Sequence, residues 1–216
     1  MYKACIFDLD GTLTDTLESL AYSVKATLRE MGLKEITTDE CRQFVGNGAR
    51  RLMECALEAA GDKTGSRIDE GMEIYGRIFD ENCTYHVTPY EGIPKTISGL
   101  RAKGLKLAVL SNKPHIQTVK VVREIFGDDI FDCVQGQMEG LKRKPDPEGV
   151  YKVLERLHTE KEDCLYIGDS EVDVKTACNA GITCIGAAWG FRSREVLADA
   201  GAEHIIDMPE ELLQYV

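Results

Sequence analysis

A short apolar run, Cys5-Ile6-Phe7, ends in Asp8-Leu9-Asp10-Gly11-Thr12, and the next comparable apolar run after the helical patterns begins only at Leu107. That spacing constrains the fold more than any other feature of the chain. The first run suits a buried strand, and Gly-Thr suits a loop turning back over the strand's end. A parallel crossover needs only about a dozen residues with its helix. The segment from Asp8 to Lys106 is far longer, so most of it must be an insertion.

The insertion reads as helical. Leu17, Leu20, Ala21, Val24, Leu28 and Met31 recur at helical spacing before Gly32. Thr37 with Glu40 resembles a capping box opening a short second helix. Gly46-Asn47-Gly48 precedes a third pattern over Ala49 to Ala60, and a fourth runs from Ile68 to Asn82. No strand pattern appears from 16 to 83, and Thr88 to Pro94 reads as a connector. Beyond it, apolar runs at 107–110, 133–134, 164–167, 183–187 and 204–206 alternate with helical patterns near 94–103, 115–126, 147–158, 171–180 and 193–200. This alternation predicts an α/β fold, a doubly wound parallel sheet with a Rossmann-like core. The expected division is a core of residues 1–15 and 84–216 with a helical cap at 16–83.

With 216 residues, 43% of them hydrophobic, the chain can bury a sizeable core. Its net charge of −11 disfavours nucleic acid and anionic membranes as partners. None of the eight cysteines forms a C-x-x-C pair, which suits reduced thiols in a cytoplasmic protein. Met1-Tyr2-Lys3 leads straight into the first strand without a signal peptide, and no apolar run reaches membrane-spanning length. The four histidines show no ligand spacing.

Polar residues gather where strands end. Asp8 and Asp10 close the first strand and, being two apart, point to one side while the pleat lasts. Ser111-Asn112-Lys113-Pro114 follows Leu107 to Leu110, Lys142-Arg143-Lys144-Pro145 precedes a helix, and Gly168-Asp169-Ser170 with Asp173 follows Cys164 to Ile167. Carboxyl ends of parallel strands share one edge, so these acids, the hydroxyl and the lysine converge there. Each motif has a plainer reading. Ser111-Asn112 would cap the next helix, Lys142-Arg143-Lys144 would be a solvated loop, and Asp169 and Asp173 would sit at a helix's positive end. Their joint order favours a shared site.

That joint pattern resembles the haloacid dehalogenase-like superfamily across essentially the whole chain. The matching motifs are Asp8-Leu9-Asp10-Gly11-Thr12, Ser111-Asn112, Lys144 before Pro-Asp-Pro, and Gly168-Asp169-Ser170-x-x-Asp173. Within it, Val45-Gly46-Asn47-Gly48-Ala49 and Ser111-Asn112-Lys113-Pro114 are similar to the phosphoglycolate phosphatase group. The resemblance implies a Mg²⁺-dependent phosphatase acting on small phosphate esters, as a monomer or homodimer. Asp8 would be the nucleophile that forms an aspartyl-phosphate, and Asp10 the general acid and base. Ser111, Asn112 and Lys144 would bind the phosphoryl group. The metal would be held by Asp8, the Asp10 carbonyl and Asp169, supported by Asp173 directly or through another group. Gly46, Asn47 and Gly48 would line the substrate from the cap, where Arg50 or Arg51 would either meet a substrate carboxylate or lie exposed. A mutase or pyrophosphatase of the superfamily and a catalytically silent phosphate-binding regulator are the alternatives. A receiver domain would lack the insertion, and a dehalogenase would not need the metal acids.

Overall fold

The computed structural model describes residues 2–216. The chain opens with β1 (Ala4–Phe7) and a two-residue strand, β2 (Thr14–Asp15), followed by α1 (Leu17–Glu30), α2 (Thr38–Phe44), α3 (Ala49–Ala59) and α4 (Ile68–Asn82). A second short strand, β3 (Thr88–Pro89), leads to α5 (Ile93–Ala102), β4 (Lys106–Pro114), α6 (His115–Phe126), β5 (Cys133–Gln137) and α7 (Glu148–Leu157). Then come β6 (Cys164–Gly168), α8 (Glu171–Ala180), β7 (Thr183–Ala187), α9 (Arg194–Asp199) and β8 (His204–Ile206). The sheet runs β5-β4-β1-β6-β7-β8, with every neighbouring pair parallel.

The strands read as unbroken apolar runs because both faces of the sheet are covered. Cys5 and Phe7 point into one core with Leu107, Val109, Leu165 and Ile167, where α5 and α6 contribute Ile97, Leu100 and Val121. Ala4 and Ile6 point into the other with Ala108, Leu110 and Tyr166, against Val150, Val153 and Ala177 of α7 and α8. The first core continues into α1, α3 and α4 through Leu20, Val24, Met53, Leu57, Tyr75 and Phe79. Thr37 and Glu40 form the anticipated capping box on α2.

Chain order matters for the site. After β1 the chain places β4 on one side of it and β6 on the other, so the switch point of the sheet lies at the carboxyl end of β1. Three strand ends carrying polar residues are therefore neighbours.

Local structure departs from the sequence pattern in three places. β1 ends at Phe7, so no pleat carries Asp8 and Asp10 to one side. The chain instead curls, with the Leu9 carbonyl accepting from the amides of Leu13 and Thr14, both at 3.0 Å. Second, the expected connector holds β3, which pairs antiparallel with β2 and brackets the helical segment. A two-residue strand offers no alternation to read. Third, β4 runs on to Pro114, with its register against β5 shifting between Leu110 and Pro114. Such a shift re-aims side chains, and it falls on Ser111, Asn112 and Lys113. All eight cysteines are unpaired, and no helix among the described residues is long and apolar enough to cross a membrane.

Candidate active site

The curled chain after β1 leaves Asp8 buried at the switch point. Lys144 reaches it from the loop before α7, with Nζ 2.8 Å from Asp8 Oδ1. This is a charge contact rather than an aligned hydrogen bond, and Asp8 Oδ1 has no hydrogen-bond donor. Lys144 donates instead to Asp173 Oδ1 at 2.8 Å. Asp173 also accepts from the Tyr166 hydroxyl at 3.1 Å and, through Oδ2, from Ser170 Oγ at 2.6 Å. Ser170 and Asp173 form a capping box on α8. The helix-start reading of this acid therefore holds together with its pairing to Lys144. Lys142 and Arg143 are exposed, as a solvated loop would have them, whereas Lys144 is buried.

Asp169, at the end of β6, is buried beside them. Thr12 Oγ1 donates to its Oδ1 at 3.2 Å, and the Phe191 amide to its Oδ2 at 2.7 Å. Two glycines give this carboxylate its room. A Cβ on Gly11, which has φ +90°, would stand 2.4 Å from Asp169 Oδ2, and one on Gly190 would stand 2.3 Å from Asp169 Cβ. Carboxylate oxygens of Asp8, Asp169 and Asp173 lie within 4.8 Å of one another.

So much negative charge out of water is unstable unless compensated. Burial pushes the Asp8 carboxyl up to about 7 against the opposing pull of Lys144, with Asp173 and Asp10 adding to the rise. Burial, then Asp173 and Asp8, raise Asp169 well above the usual carboxylate range. Burial works against the Lys144 charge, but Asp173 and Asp8 outweigh it and hold that ammonium firmly protonated. One lysine thus faces three acids. The donor set suits a hard divalent cation, which takes oxygen ligands. Asp8 and Asp169 line the cavity, Asp169 in a glycine-walled cradle, whereas Asp173 lies outside the lining and is engaged by Lys144, Tyr166 and Ser170.

Ser111, Asn112 and Lys113 complete the core side. Ser111 Oγ accepts from the Lys113 amide at 3.2 Å, and neither Ser111 nor Asn112 caps α6. Asn112 ties two loops together: its Oδ1 accepts from the Lys144 amide at 2.9 Å, and its Nδ2 donates to the Lys144 and Gly46 carbonyls, each at 3.1 Å. Asp10 does not join the other acids. Its Oδ1 is paired at 2.5 Å with Lys113 Nζ.

Opposite stands the wall built by α1, α3 and α4, including Leu20, Val45, Leu52, Tyr75 and Phe79. Core and wall face each other across an open-mouthed cavity lined by Asp8, Asp10, Asp169, Lys144, Ser111 and Asn112 on one side and by these apolar side chains on the other. Gly46 and Gly48 line it, while Asn47 is exposed and outside it. Arg50 and Arg51 point away, paired with Asp69 and Glu54.

Three contributors were not singled out in the sequence. Lys113 was passed over as part of a motif. Trp189 Nε1 donates to the Thr12 carbonyl at 3.0 Å, bracing the loop that follows Asp8. Arg192 binds Glu171 and the carbonyls of Arg42, Gln43 and Val45, fastening the C-terminal end of α2 to the core. Trp189 and Arg192 follow the carboxyl end of β7, the same sheet edge as the other motifs, and position was the available signal.

Comparison with known proteins agrees with this architecture. The family model for haloacid dehalogenase-like hydrolases matches residues 5–187, and the chain belongs to that family. It is an enzyme of the phosphatase type found there, a phosphoric monoester hydrolase. Its relatives include the phosphoglycolate phosphatases of Aquifex aeolicus, 35% identical over 88% of this chain and 86% of the relative, and of Rhodobacter capsulatus, 36% identical over 89% and 87%. A crystal structure from Lactobacillus delbrueckii subsp. bulgaricus, assigned as a phosphoglycolate phosphatase, superposes with a TM-score of 0.94 at 31% identity, covering 99% of this chain and 98% of that one.

Proposed function

We propose that the protein hydrolyses small phosphate monoesters of the 2-phosphoglycolate type in two steps, with Mg²⁺ bound and Asp8 phosphorylated between them. The observation that carries the reading is Asp8 Oδ1, buried at the base of the cavity without a hydrogen-bond donor and 2.8 Å from the Lys144 ammonium. A carboxylate that lines the cavity beside a fixed ammonium is placed to attack a phosphoryl group bound there. Bound by Asp8, Asp169 and the Asp10 carbonyl, Mg²⁺ supplies positive charge that offsets the repulsion between carboxylate and phosphate.

In the first step an Asp8 oxygen forms a bond to phosphorus as the bond to the ester oxygen breaks. Asp10 gives that departing oxygen its proton. In the second step water adds to phosphorus, the bond to Asp8 breaks, and Asp10 takes the proton from water, which returns Asp8 as a carboxylate and Asp10 as the protonated acid with which the first step began. Lys144 and the Ser111-Asn112 turn provide fixed donors to the phosphoryl oxygens, in place before charge develops. Asp173 holds Lys144 in register through the shared 2.8 Å bond. The segment 16–83 acts as a cap that excludes all but the attacking water, with Gly46 and Gly48 bringing backbone to the substrate.

The test is phosphate release from 2-phosphoglycolate, β-glucose 1-phosphate, pyrophosphate and an aryl phosphate, with Mg²⁺ and with excess chelator. Metal-dependent release with 2-phosphoglycolate preferred is the expected result. Metal-dependent release favouring another substrate removes the substrate assignment alone, and no metal-dependent release from any of them overturns the mechanism.

A further inference from the structure

We propose that Lys113 is the specificity-determining cation of this site, which selects phosphate esters carrying a carboxylate close to the ester oxygen. The inference rests on the phosphatase reading above and adds to it the group that recognises the departing half of the substrate.

The case begins with a process of elimination. The cations along the cavity are Lys113, Lys144 and Arg192. Lys144 is committed to Asp8 and Asp173. Arg192 is committed to Glu171 and to the backbone carbonyls at the end of α2. Arg50 and Arg51 pair with Asp69 and Glu54 on the exposed side of α3, and Arg143, whose guanidinium lies against Gly48, is exposed and outside the cavity lining. Lys113 alone has one side-chain hydrogen-bond partner, Asp10, and its side chain is only 2% exposed. A lysine so enclosed cannot find its remaining hydrogen-bond acceptors in bulk water, and the cavity is where they must come from.

Its placement is specific as well. Nζ lies 2.5 Å from Asp10 Oδ1 and 5.2 Å from the centre of the Phe79 ring, between the core and the helical wall. For Asp10 to protonate the departing oxygen, that oxygen must come within roughly 3 Å of it. The ammonium then stands no more than about 5.5 Å from the departing oxygen, a gap that a group two bonds along the chain and one hydrogen bond can span. A carboxylate attached directly to the ester carbon meets that distance. The rest of the wall here is apolar, so a neutral alkyl group would leave the ammonium with Asp10 alone, and a longer or bulkier leaving group would meet Leu52, Tyr75 and Phe79. Asp10 is therefore the resting partner of Lys113, and the substrate's carboxylate adds to or replaces it on binding.

The experiment compares 2-phosphoglycolate with ethyl phosphate, which lacks only the carboxylate, in the Mg²⁺-loaded enzyme and in Lys113→Met and Lys113→Gln. Wild type should favour the carboxylate ester in kcat/KM by on the order of 10²-fold, the usual worth of a charge-assisted bond in a closed site. Both variants should bring that ratio to within about tenfold of unity, the loss falling mainly on KM for 2-phosphoglycolate. Binding provides a second readout without turnover. 3-Phosphonopropionate should bind wild type more tightly than propylphosphonate, and the variants should bind the two alike. Equal kcat/KM for the two esters in wild type overturns the proposal while leaving the phosphatase reading intact, as does an unchanged ratio in both variants. Absence of turnover on both esters, with metal-dependent release from another phosphate ester, overturns this proposal and the 2-phosphoglycolate assignment while leaving the two-step mechanism. If Lys113→Met does not fold, Lys113→Gln and the wild-type phosphonate pair still decide.

Discussion

The two sides of the cavity are held by different forces. On the core side, buried Asp8, Lys144 and Asp173 are cross-linked by charge and buried Asp169 is held by Thr12 and the Phe191 amide, so that none moves without stranding a polar partner. The helical side is apolar, Leu20, Val45, Leu52, Tyr75 and Phe79, and is tied to the core by contacts to backbone carbonyls, from Asn112 to Gly46 and from Arg192 to Val45. Breaking one partner of a buried charged group leaves the full desolvation cost of the other, whereas apolar packing tolerates exchange of similar shapes. Chemistry and the charge that selects the substrate are therefore both placed where substitution is least tolerated, and the apolar wall is the side most easily varied.

The comparison is broken most decisively at Asp8. Asp8→Asn keeps the size of the side chain and removes the attacking oxygen, so turnover should fall by at least ~10³-fold. The folded state should survive, because Lys144 retains its bond to Asp173 and one buried negative charge has gone. Phosphate release and a thermal melt of the purified variant check both halves. Residual activity near wild type would remove Asp8 as nucleophile.

A smaller effect tests the accumulated charge itself. Asp8 is pushed up to about 7 and Asp169 well above its ordinary range, while in the unfolded chain both titrate near 4. Below that pH both states hold the protons and neither residue costs stability. Above it the unfolded chain releases them readily and the folded protein does not. The folded state then binds more protons, and stability falls with rising pH. The chelator-treated protein should accordingly lose stability between about pH 4 and 7, several degrees in melting temperature. Added Mg²⁺ should restore more at pH 7.5 than at pH 5, and Asp169→Asn should flatten the metal-free profile. A metal-free profile that rises over this range would show that the acids are compensated from within the chain.

The same contrast explains what could be read from the sequence. The sheet strands and their helices were legible because both cores impose unbroken apolar runs and helical stripes. The Thr37 and Glu40 box was legible because capping is local chemistry. Asp8, Lys144 and Asp169 were legible as residue types that a strand end does not require. The Asp10 side chain was read by strand pleat, yet β1 stops at Phe7 and the loop turns that carboxylate to Lys113. No pattern in the sequence records such a turn, since it depends on Leu9 accepting several backbone bonds at once. Lys113, Trp189 and Arg192 act through partners between about 100 and 180 positions away, and pairings of that range leave no local periodicity.

Arg192 offers the mildest cut, on the boundary between the two sides. Its side chain is 14% exposed and its guanidinium reaches Glu171 at 3.1 Å and the Val45 carbonyl at 2.7 Å, next to Gly46 on the cavity wall. Arg192→Ala removes that fastening and leaves every charged group of the core side in place. Cap-side geometry should loosen, raising KM more than it lowers kcat, with kcat/KM down by about tenfold. Arg50 is the control for a merely cationic effect. It is half exposed on α3 and paired outward with Asp69 and Glu54, so Arg50→Ala should change kcat/KM by less than about twofold. Steady-state kinetics on the same substrate separate the two. If Arg50→Ala proves as damaging as Arg192→Ala, then the wall is held by the general charge of the helical segment rather than by the carbonyl contacts at the end of α2, and the division between the two sides fails at this point.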